Sequence, residues 1–361
     1  MSIAWRSAQR GLRVTVFDDP KARGASEVAA GMLAPVTEVH YGEEPLLRLN
    51  IESAKRYSSF VGELEAATGI EVRYRRCGTL MVARDADDLA ELDEIFAFQQ
   101  KLGLEVEHLR GREARALESG LAPTIRGGIL APNDHQVDPP QLLAALRAAC
   151  VASGVTLRDE RITGVLIDAD KVRGVQTNSG EDVYCDHVVL ATGASPTRIG
   201  GLPLEAMPPV RPVKGQLVHL AARGIFGVAD RNIRGLDVYV VSRTNGRVIV
   251  GATVEEMGWD TEVTAGAIHE LLRRAYELLP GITEFRFVRA LAGLRPGTPD
   301  NAPFLGPTNI EGLVVATGHY RNGVLLTPIT GDEIATFLES GDTGEWISAF
   351  SAGRFATGAV A

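Results

Sequence analysis

Asp18 is the first residue of the chain whose type and position could serve chemistry. It follows the alternating segment 13–17, which predicts a short parallel strand, and that strand follows a helix-like segment ending near Gly11. In a βαβ unit that binds a dinucleotide, the acid that closes the second strand accepts hydrogen bonds from a ribose. Asp18 occupies that position, although a solvent-exposed carboxylate without a ligand would give the same pattern.

Two other segments could contact a large planar ligand, because both are built from small residues. One runs from Ala25 and Ser26 into the turn-rich residues 31–35. The other is the turn 191–195, which follows a predicted buried strand over residues 186–190. Ligands bind at the carboxyl ends of parallel strands. A packing loop would have the same composition, so these segments alone leave both interpretations open.

The elements that must position these residues alternate between helices and strands. Hydrophobic spacing predicts helices over 50–68, 85–102, 138–154, 264–279 and 330–338, and strands over 79–82, 155–157, 162–167, 172–177, 186–190, 216–220, 237–241, 247–250 and 312–316. Asp138 is expected to cap its helix, with Pro139 in the first turn. The order helix, glycine, strand, acid before residue 20 is half of a βαβ unit. Residues 210–254 predict a mainly antiparallel second sheet.

Length and composition exclude several classes of protein. The chain has 361 residues, 45% of them hydrophobic and 23% charged, which fits two globular domains and excludes a disordered chain. A net charge of −9 disfavours a nucleic-acid partner. Cys77, Cys150 and Cys185 form no CxxC pair, so neither a zinc site nor a disulfide framework is predicted. We expect a cytoplasmic protein without a membrane segment.

Several motifs in a fixed order carry a resemblance to a known family. They are the helix of residues 4–11 with the Asp18 strand, AAGMLAP at 29–35, HQVDP at 135–139, VVLATGASP at 188–196, VKGQ at 213–216, GLRPGTPDNAPFLGP at 293–307 and GHYRNGVLLTPITG at 318–331. Over nearly its whole length the chain resembles glycine oxidases of thiamine biosynthesis. These belong to the D-amino-acid oxidase group of FAD-dependent amine oxidases.

The resemblance implies an α/β fold in which a Rossmann-like FAD-binding domain is interleaved with an α+β substrate domain built on an antiparallel sheet. The FAD-binding domain would comprise 1–35, 138–200 and 290–340, the substrate domain 36–137 and 201–289, and a C-terminal tail 341–361. The first strand and the GxGxxG loop of the Rossmann unit are absent from the sequence. We therefore expect the native protein to begin upstream of Met1.

The resemblance also implies non-covalent FAD and the residues that would contact it. Asp18, with Asp19, would bind the ribose, and the backbone of Ile162 would hold the adenine. The other implied contacts are Ala25, Ser26, Ala30, Gly31, Met32, Thr192, Gly193, His319, Tyr320, Asn322, Gly323, Val324 and Leu325. In this assignment the segment that contains His319 surrounds the flavin with backbone donors, and the imidazole has a structural role.

For the substrate, the resemblance places a carboxylate clamp at Arg295, a second positive charge at Arg321 and a hydroxyl donor at Tyr239. A guanidinium suits this role because its planar fork binds a carboxylate through two parallel hydrogen bonds and stays charged. Tyr239 lies in an alternating strand and could equally be a core residue. No side-chain acid or base and no metal are expected, because the flavin performs the hydride transfer.

The implied reaction is oxidative deamination of glycine, and of sarcosine or small D-amino acids, in which O2 is reduced to H2O2. Its imine product would supply thiamine thiazole synthesis, and a homotetramer is possible. Two alternatives stay open at this point. One is another FAD amine oxidase, or a dehydrogenase that passes electrons to a quinone. The other is an inactive relative that binds no FAD.

Overall fold

The computed structural model of the chain describes residues 1–19, 24–195, 199–203, 206–222 and 228–355. Its helices are α1 (Ser2–Gln9), α2 (Ala25–Val28), α3 (Glu44–Thr68), α4 (Ala86–Lys101), α5 (Gly111–Leu117), α6 (Pro139–Ala152), α7 (Ala265–Leu278), α8 (Thr327–Ser340) and α9 (Gly344–Ser348). Pro196, which ends the VVLATGASP motif, and residues 356–361 of the predicted tail lie outside the described residues. No helix in the described ranges is both long and apolar enough to cross a membrane.

The strands are short in the N-terminal and C-terminal parts and longer in the middle of the chain. They are β1 (Thr15–Phe17), β2 (Met32–Leu33), β3 (Thr79–Ala83), β4 (Glu107–Arg110), β5 (Gly127–Ala131), β6 (His135–Gln136), β7 (Thr156–Arg158), β8 (Ile162–Asp168), β9 (Lys171–Thr177), β10 (Asp182–Tyr184), β11 (Val188–Leu190), β12 (Arg211–Ala221), β13 (Asn232–Arg234), β14 (Tyr239–Ser242), β15 (Arg247–Gly251), β16 (Arg286–Gly297), β17 (Phe304–Pro307) and β18 (Leu313–Thr317).

The N-terminal helix and strand form as the sequence predicts. The helix α1 is followed by Gly11 at φ 82°, a left-handed conformation that glycine adopts without strain. The strand β1 then runs parallel to β7, and the amide of Asp18 continues the pairing to the carbonyl of Arg158 at 3.1 Å. Buried Trp5 packs edge-on against Phe60 of α3, which fixes α1 on the core.

Two three-stranded sheets belong to the same α/β part of the molecule, and β2 and β6 form a separate antiparallel pair. The strands β11 and β18 are parallel, and β17 pairs antiparallel with β18. The predicted hairpin of β8 and β9 is confirmed, with β10 added to it. Within the described ranges, β1 and β11 each pair with a strand on one edge alone. The arrangement matches a Rossmann-like unit without its first strand, as the sequence predicts.

The second part is one sheet of eight strands in the order β16-β12-β15-β14-β13-β3-β5-β4. All neighbours are antiparallel except β13 and β3, which confirms the predicted, mainly antiparallel sheet. The largest hydrophobic cluster lies on one face of this sheet, where Val218, Val240 and Val250 are buried together with Leu271 and Leu278 of α7.

Several sequence-based element boundaries were wrong for local reasons. The helix α3 begins at Glu44, six residues before the predicted start at Asn50, with a proline in its first turn, where a missing amide costs nothing. The helix α8 likewise begins before its predicted start at residue 330, at Thr327, with Pro328 in its first turn. Asp138 sits at the N-cap of α6, but its carboxylate accepts from Arg73 at 3.4 Å instead of capping the helix. The predicted domain boundaries stay a prediction.

Candidate active site

Strand register places Arg295 and Tyr239 on one face of the eight-stranded sheet. On β16, Arg295 lies opposite Val213 of β12, and on β14 Tyr239 lies opposite Gly251 of β15. Gly251 in turn lies opposite Leu217 of β12, four residues from Val213. Directly paired residues, and residues an even number apart along a strand, point to the same face. Two of the three predicted substrate residues therefore share a surface.

Two glycines leave room for these side chains. A Cβ atom at Gly251 would overlap the ring of Tyr239, and a Cβ atom at Gly215 would overlap the guanidinium of Arg295. Gly215 is two residues from Val213, so the arginine crosses β12 on the face that carries the tyrosine. Each glycine is thus required by the close approach of a side chain from a neighbouring strand.

Backbone carbonyls hold the guanidinium of Arg295. Its Nη1 donates to the carbonyl oxygen of Thr253 at 3.1 Å and to that of Lys214 at 3.4 Å. Within the described ranges no carboxylate forms an ion pair with it. The side chain is therefore oriented by neutral groups and keeps its charge available for an anion. This is the arrangement that a carboxylate clamp needs.

A strained loop brings Arg321 to the same region. Tyr320 has a φ of 46°, which is unusual for a residue other than glycine. Its amide donates to the carbonyl of Pro296 at 3.1 Å, which ties the loop to the residue after Arg295. Gly318 must be glycine here, because its φ is 76° and a Cβ atom would overlap the side chain of Thr298.

The structure adds two site residues that the sequence analysis missed. Glu38 accepts a short hydrogen bond from Arg234, and its other oxygen lies 3.5 Å from Nε of Arg321. Arg234 pairs with Tyr239 across β13 and β14, so it extends the same row of side chains. Glu38 lies three residues after the AAGMLAP motif, outside any pattern in the sequence. Arg234 lies in β13, whose three residues are too few to show an alternating pattern.

Burial and neighbouring charges shape the protonation of this row. Burial, followed by the charge of Arg321, lowers the pKa of Arg234 to about 10, so this guanidinium is still positive at neutral pH. Burial raises the pKa of Tyr239, although the charges of Arg295 and Arg234 act in the opposite direction. Tyr239 is thus a neutral hydroxyl that can donate a hydrogen bond.

The predicted flavin loop lies on the same sheet face. Ala30 packs in one apolar cluster with Leu217, against which Met32 and Tyr239 also pack. Gly31, at φ 79°, allows the loop to pass Val137, whose carbonyl oxygen a Cβ atom would overlap. The sequence-predicted flavin contacts and substrate contacts are thus brought together.

Polar groups in two loops, at residues 192–193 and 323–325, fit the ring system of a flavin. The amides of Gly323, Val324 and Leu325 donate no hydrogen bond to any described residue. The hydroxyl of Thr192 is buried and has no partner in the part of the chain that the structure describes, and the next residue, Gly193, accepts a hydrogen bond from Thr317 at 2.6 Å. These donors match the carbonyl and nitrogen acceptors along the edge of an isoalloxazine ring.

His319 is oriented by a hydroxyl and kept neutral by burial. Its Nε2 lies 3.0 Å from Oγ1 of Thr330 on α8, and burial lowers its pKa to about 4. Tyr320 and Asn322 flank it in the loop, and the amide of Asn322 donates to the carbonyl of His319 at 2.9 Å. These contacts agree with the structural role expected for the imidazole.

The residues predicted for the ribose and adenine lie elsewhere on the α/β part. Asp18 is exposed and accepts from Arg147 at 3.0 Å. The preceding residue, Phe17, packs against the same apolar cluster as Ile162. Asp19 follows Asp18, and Ala25 and Ser26 are exposed at the start of α2. The residues present therefore fit both ends of a flavin dinucleotide, and their individual roles stay predictions.

Comparison with known proteins agrees with this geometry. Residues 1–336 match the family described as FAD dependent oxidoreductase. The chain is 36% identical over 368 residues to the bifunctional protein ThiO/ThiG of a Synechocystis species, and it covers 52% of that protein. It thus spans about half the length of this bifunctional relative, while the match includes 99% of the chain itself.

Two matches extend over nearly the full length of both partners. The glycine oxidase of Geobacillus kaustophilus is 33% identical, with 98% of this chain and 93% of the enzyme covered. The crystal structure of glycine oxidase from Geobacillus kaustophilus superimposes with a TM-score of 0.90 at 32% identity, covering 98% of this chain and 95% of that one. The predicted fold class is therefore confirmed.

Proposed function

Because the chain belongs to the family of FAD-dependent oxidoreductases, we propose that it oxidises the amine of glycine, and of sarcosine or small D-amino acids, to an imine that water hydrolyses. The balanced reaction converts glycine, O2 and water into glyoxylate, ammonia and H2O2. The observation that carries the proposal is the guanidinium of Arg295, which has no carboxylate partner among the described residues and is held beside Tyr239 and the Ala30 loop. The glycine oxidase relative supports glycine as the substrate.

Arg295 and Tyr239 orient the substrate in this proposal. The guanidinium binds the substrate carboxylate through two N–H groups, and the neutral tyrosine hydroxyl donates to the same carboxylate. Arg321, in the loop that the Tyr320 amide ties to Pro296, is the second cation near this site, and Glu38 offsets part of its charge. Holding the carboxylate at one end of a small molecule fixes the direction in which its Cα points, which is the main contribution required from side chains here.

Bound FAD supplies the redox chemistry, accepting a hydride from the substrate Cα and passing two electrons to O2. Ala30 and Met32 would lie against the ring system, and the free amides of residues 323–325 would donate to its polar edge. Asp18 would hold the ribose, in which case its present partner Arg147 must share or release it. Non-covalent binding of FAD, a homotetramer, a cytoplasmic location and a role in thiazole synthesis stay predictions.

The test is a visible absorption spectrum of the purified chain before and after anaerobic addition of glycine. We expect a flavin spectrum that bleaches with glycine and recovers with air, with one H2O2 formed per glycine consumed. Recovery with a quinone but not with air would replace the oxidase with a dehydrogenase. Absence of flavin after reconstitution with FAD would support the inactive relative and contradict the proposal.

A further inference from the structure

A carboxylate that the reaction itself does not require lies inside the row of arginines. Glu38 contacts both Arg234 and Arg321, and these three side chains are only 15%, 14% and 25% exposed. Placing an acid there costs desolvation free energy, which its two cationic neighbours offset. Arg295 has no such partner within the described ranges, so the positive charges around the candidate substrate site are compensated unequally.

The backbone around Glu38 keeps it in place. The amides of Val36 and Thr37 both donate to the buried carboxylate of Asp134, at 3.0 and 2.8 Å. Gln99 donates to the carbonyl of Val36 at 3.1 Å. The segment leading to Glu38 is thus anchored at three points, and its carboxylate is held beside the candidate site by Arg234 and Arg321.

We propose that Glu38 restricts the site to amines with a single carboxylate, by masking Arg234 and Arg321 from a second carboxylate of the substrate. A monocarboxylate binds Arg295 and meets no repulsion. A diacid that reaches past Tyr239 meets the negative charge of Glu38 in a site where the fields of charges are only weakly screened. Discrimination by a repulsive group of this kind is as effective as an added contact. The inference rests on the proposed function, since it names the substrate class of the same site.

The experiment measures binding, so that it does not depend on turnover. Acetate and malonate are titrated into the FAD-reconstituted protein by calorimetry at pH 8 and constant ionic strength. We compare the wild type with Glu38→Gln, which keeps the shape and one acceptor for Arg234 but removes the charge. Glu38→Asp keeps the charge on a shorter side chain, and Glu63→Gln is the matched control, because that glutamate pairs with Arg6 outside the site.

We expect the ratio of the malonate Kd to the acetate Kd to fall at least about tenfold in Glu38→Gln and to stay within about threefold in the other two variants. An unchanged ratio in Glu38→Gln, or the absence of malonate binding to it, overturns the proposal. If Glu38→Gln does not fold, Glu38→Ala takes its place, because it also removes the charge and is judged by the same two outcomes. Failure of the proposed function would appear separately, as a protein that shows this shift without being bleached by glycine.

Discussion

The residues predicted to bind substrate on the eight-stranded sheet and those predicted to bind FAD in the α/β part differ in what holds their polar groups. On the large sheet, Arg295 is held by two backbone carbonyls and Glu38 by two guanidiniums. On the α/β part, the hydroxyl of Thr192 and the amides of residues 323–325 have no partner in the described ranges. The side chains of the first region are therefore oriented by the protein itself, whereas the donors of the second would be satisfied by the predicted FAD.

This difference has an energetic meaning. Buried donors without partners cost stability, and a ligand that accepts their hydrogen bonds regains it. The side chains of Arg295 and Glu38, in contrast, are already held by protein groups, so their orientation should change little on cofactor binding. Mutations on the two regions should accordingly separate loss of substrate recognition from loss of cofactor binding.

The largest effect is expected at Arg295. Replacing Arg295 by Leu removes the carboxylate clamp, and we expect kcat/KM for glycine to fall about a thousandfold or more, equivalent to about 4 kcal/mol. The FAD affinity should stay within about twofold. Arg289→Leu on the same strand is the control, since Arg289 is exposed and six residues away. A parallel loss of FAD affinity in Arg295→Leu would show that the two regions are not separate.

FAD itself should stabilise one region more than the other. At a free concentration a thousand times its Kd, a ligand of the native state adds about 4 kcal/mol to the free energy of unfolding. Hydrogen exchange of the apo and FAD-bound protein should show the added protection at residues 191–195 and 318–326. Amides of β12 and β15 that exchange only by global unfolding share the gain in global stability, so the comparison is made among amides that exchange by local opening in the apo protein. Among these, a gain in the two loops no greater than that in β12 and β15 would contradict a cofactor site in the loops.

Acid should destabilise the cofactor side through His319. Burial lowers its pKa from 6.5 to about 4, so between these values the unfolded chain binds the proton that the native protein refuses. The free energy of unfolding is therefore highest above pH 6.5 and falls by about 3 kcal/mol as the pH falls to 4, at 1.36 kcal/mol per pKa unit. Denaturant unfolding of the apo protein should show this slope, and His319→Asn should flatten it. The same slope in the variant would remove His319 as its cause.

Asp134, which anchors the loop of Glu38, should act in the opposite direction in the same pH range. Burial raises its pKa from 3.8 to about 6 despite three hydrogen bonds from Val36 and Thr37. The native state thus binds the proton more tightly, and stability falls as the pH rises from 4 to 6, by somewhat less than about 3 kcal/mol. The wild type minus Asp134→Asn difference in unfolding free energy should show this trend. A difference that does not vary with pH would contradict it.

Sequence reasoning located local features and missed those created by register. The spacing of helical residues and the glycine after α1 predicted the first helix and strand, because those signals are local. The strand β16 was missed because Gly293, Pro296 and Gly297 read as a loop. Arg234 and Glu38 join the site only because β13 pairs with β14 and a loop crosses the sheet, contacts between residues 196 positions apart. No pattern within one segment records such contacts.

The smallest effect is expected on the face of β12 opposite to Arg295 and Tyr239, at residues 253–260. Lys214 points to the other face of β12, where it is fully buried and pairs with Asp260. Residues 253–260 include both Asp260 and Thr253, whose carbonyl oxygen accepts a hydrogen bond from Arg295. Asp260→Asn should weaken the contact with Lys214 and displace the carbonyl oxygen of Thr253 slightly. We expect KM for glycine to rise about threefold to tenfold with kcat and FAD affinity nearly unchanged, because small misplacement of a clamp weakens binding first. Glu256→Gln, which removes an exposed pair with Arg211 on the same segment, is the matched control. An equal change in KM in both variants would assign the effect to surface charge, and no change in either would show that Arg295 is positioned by its strand alone.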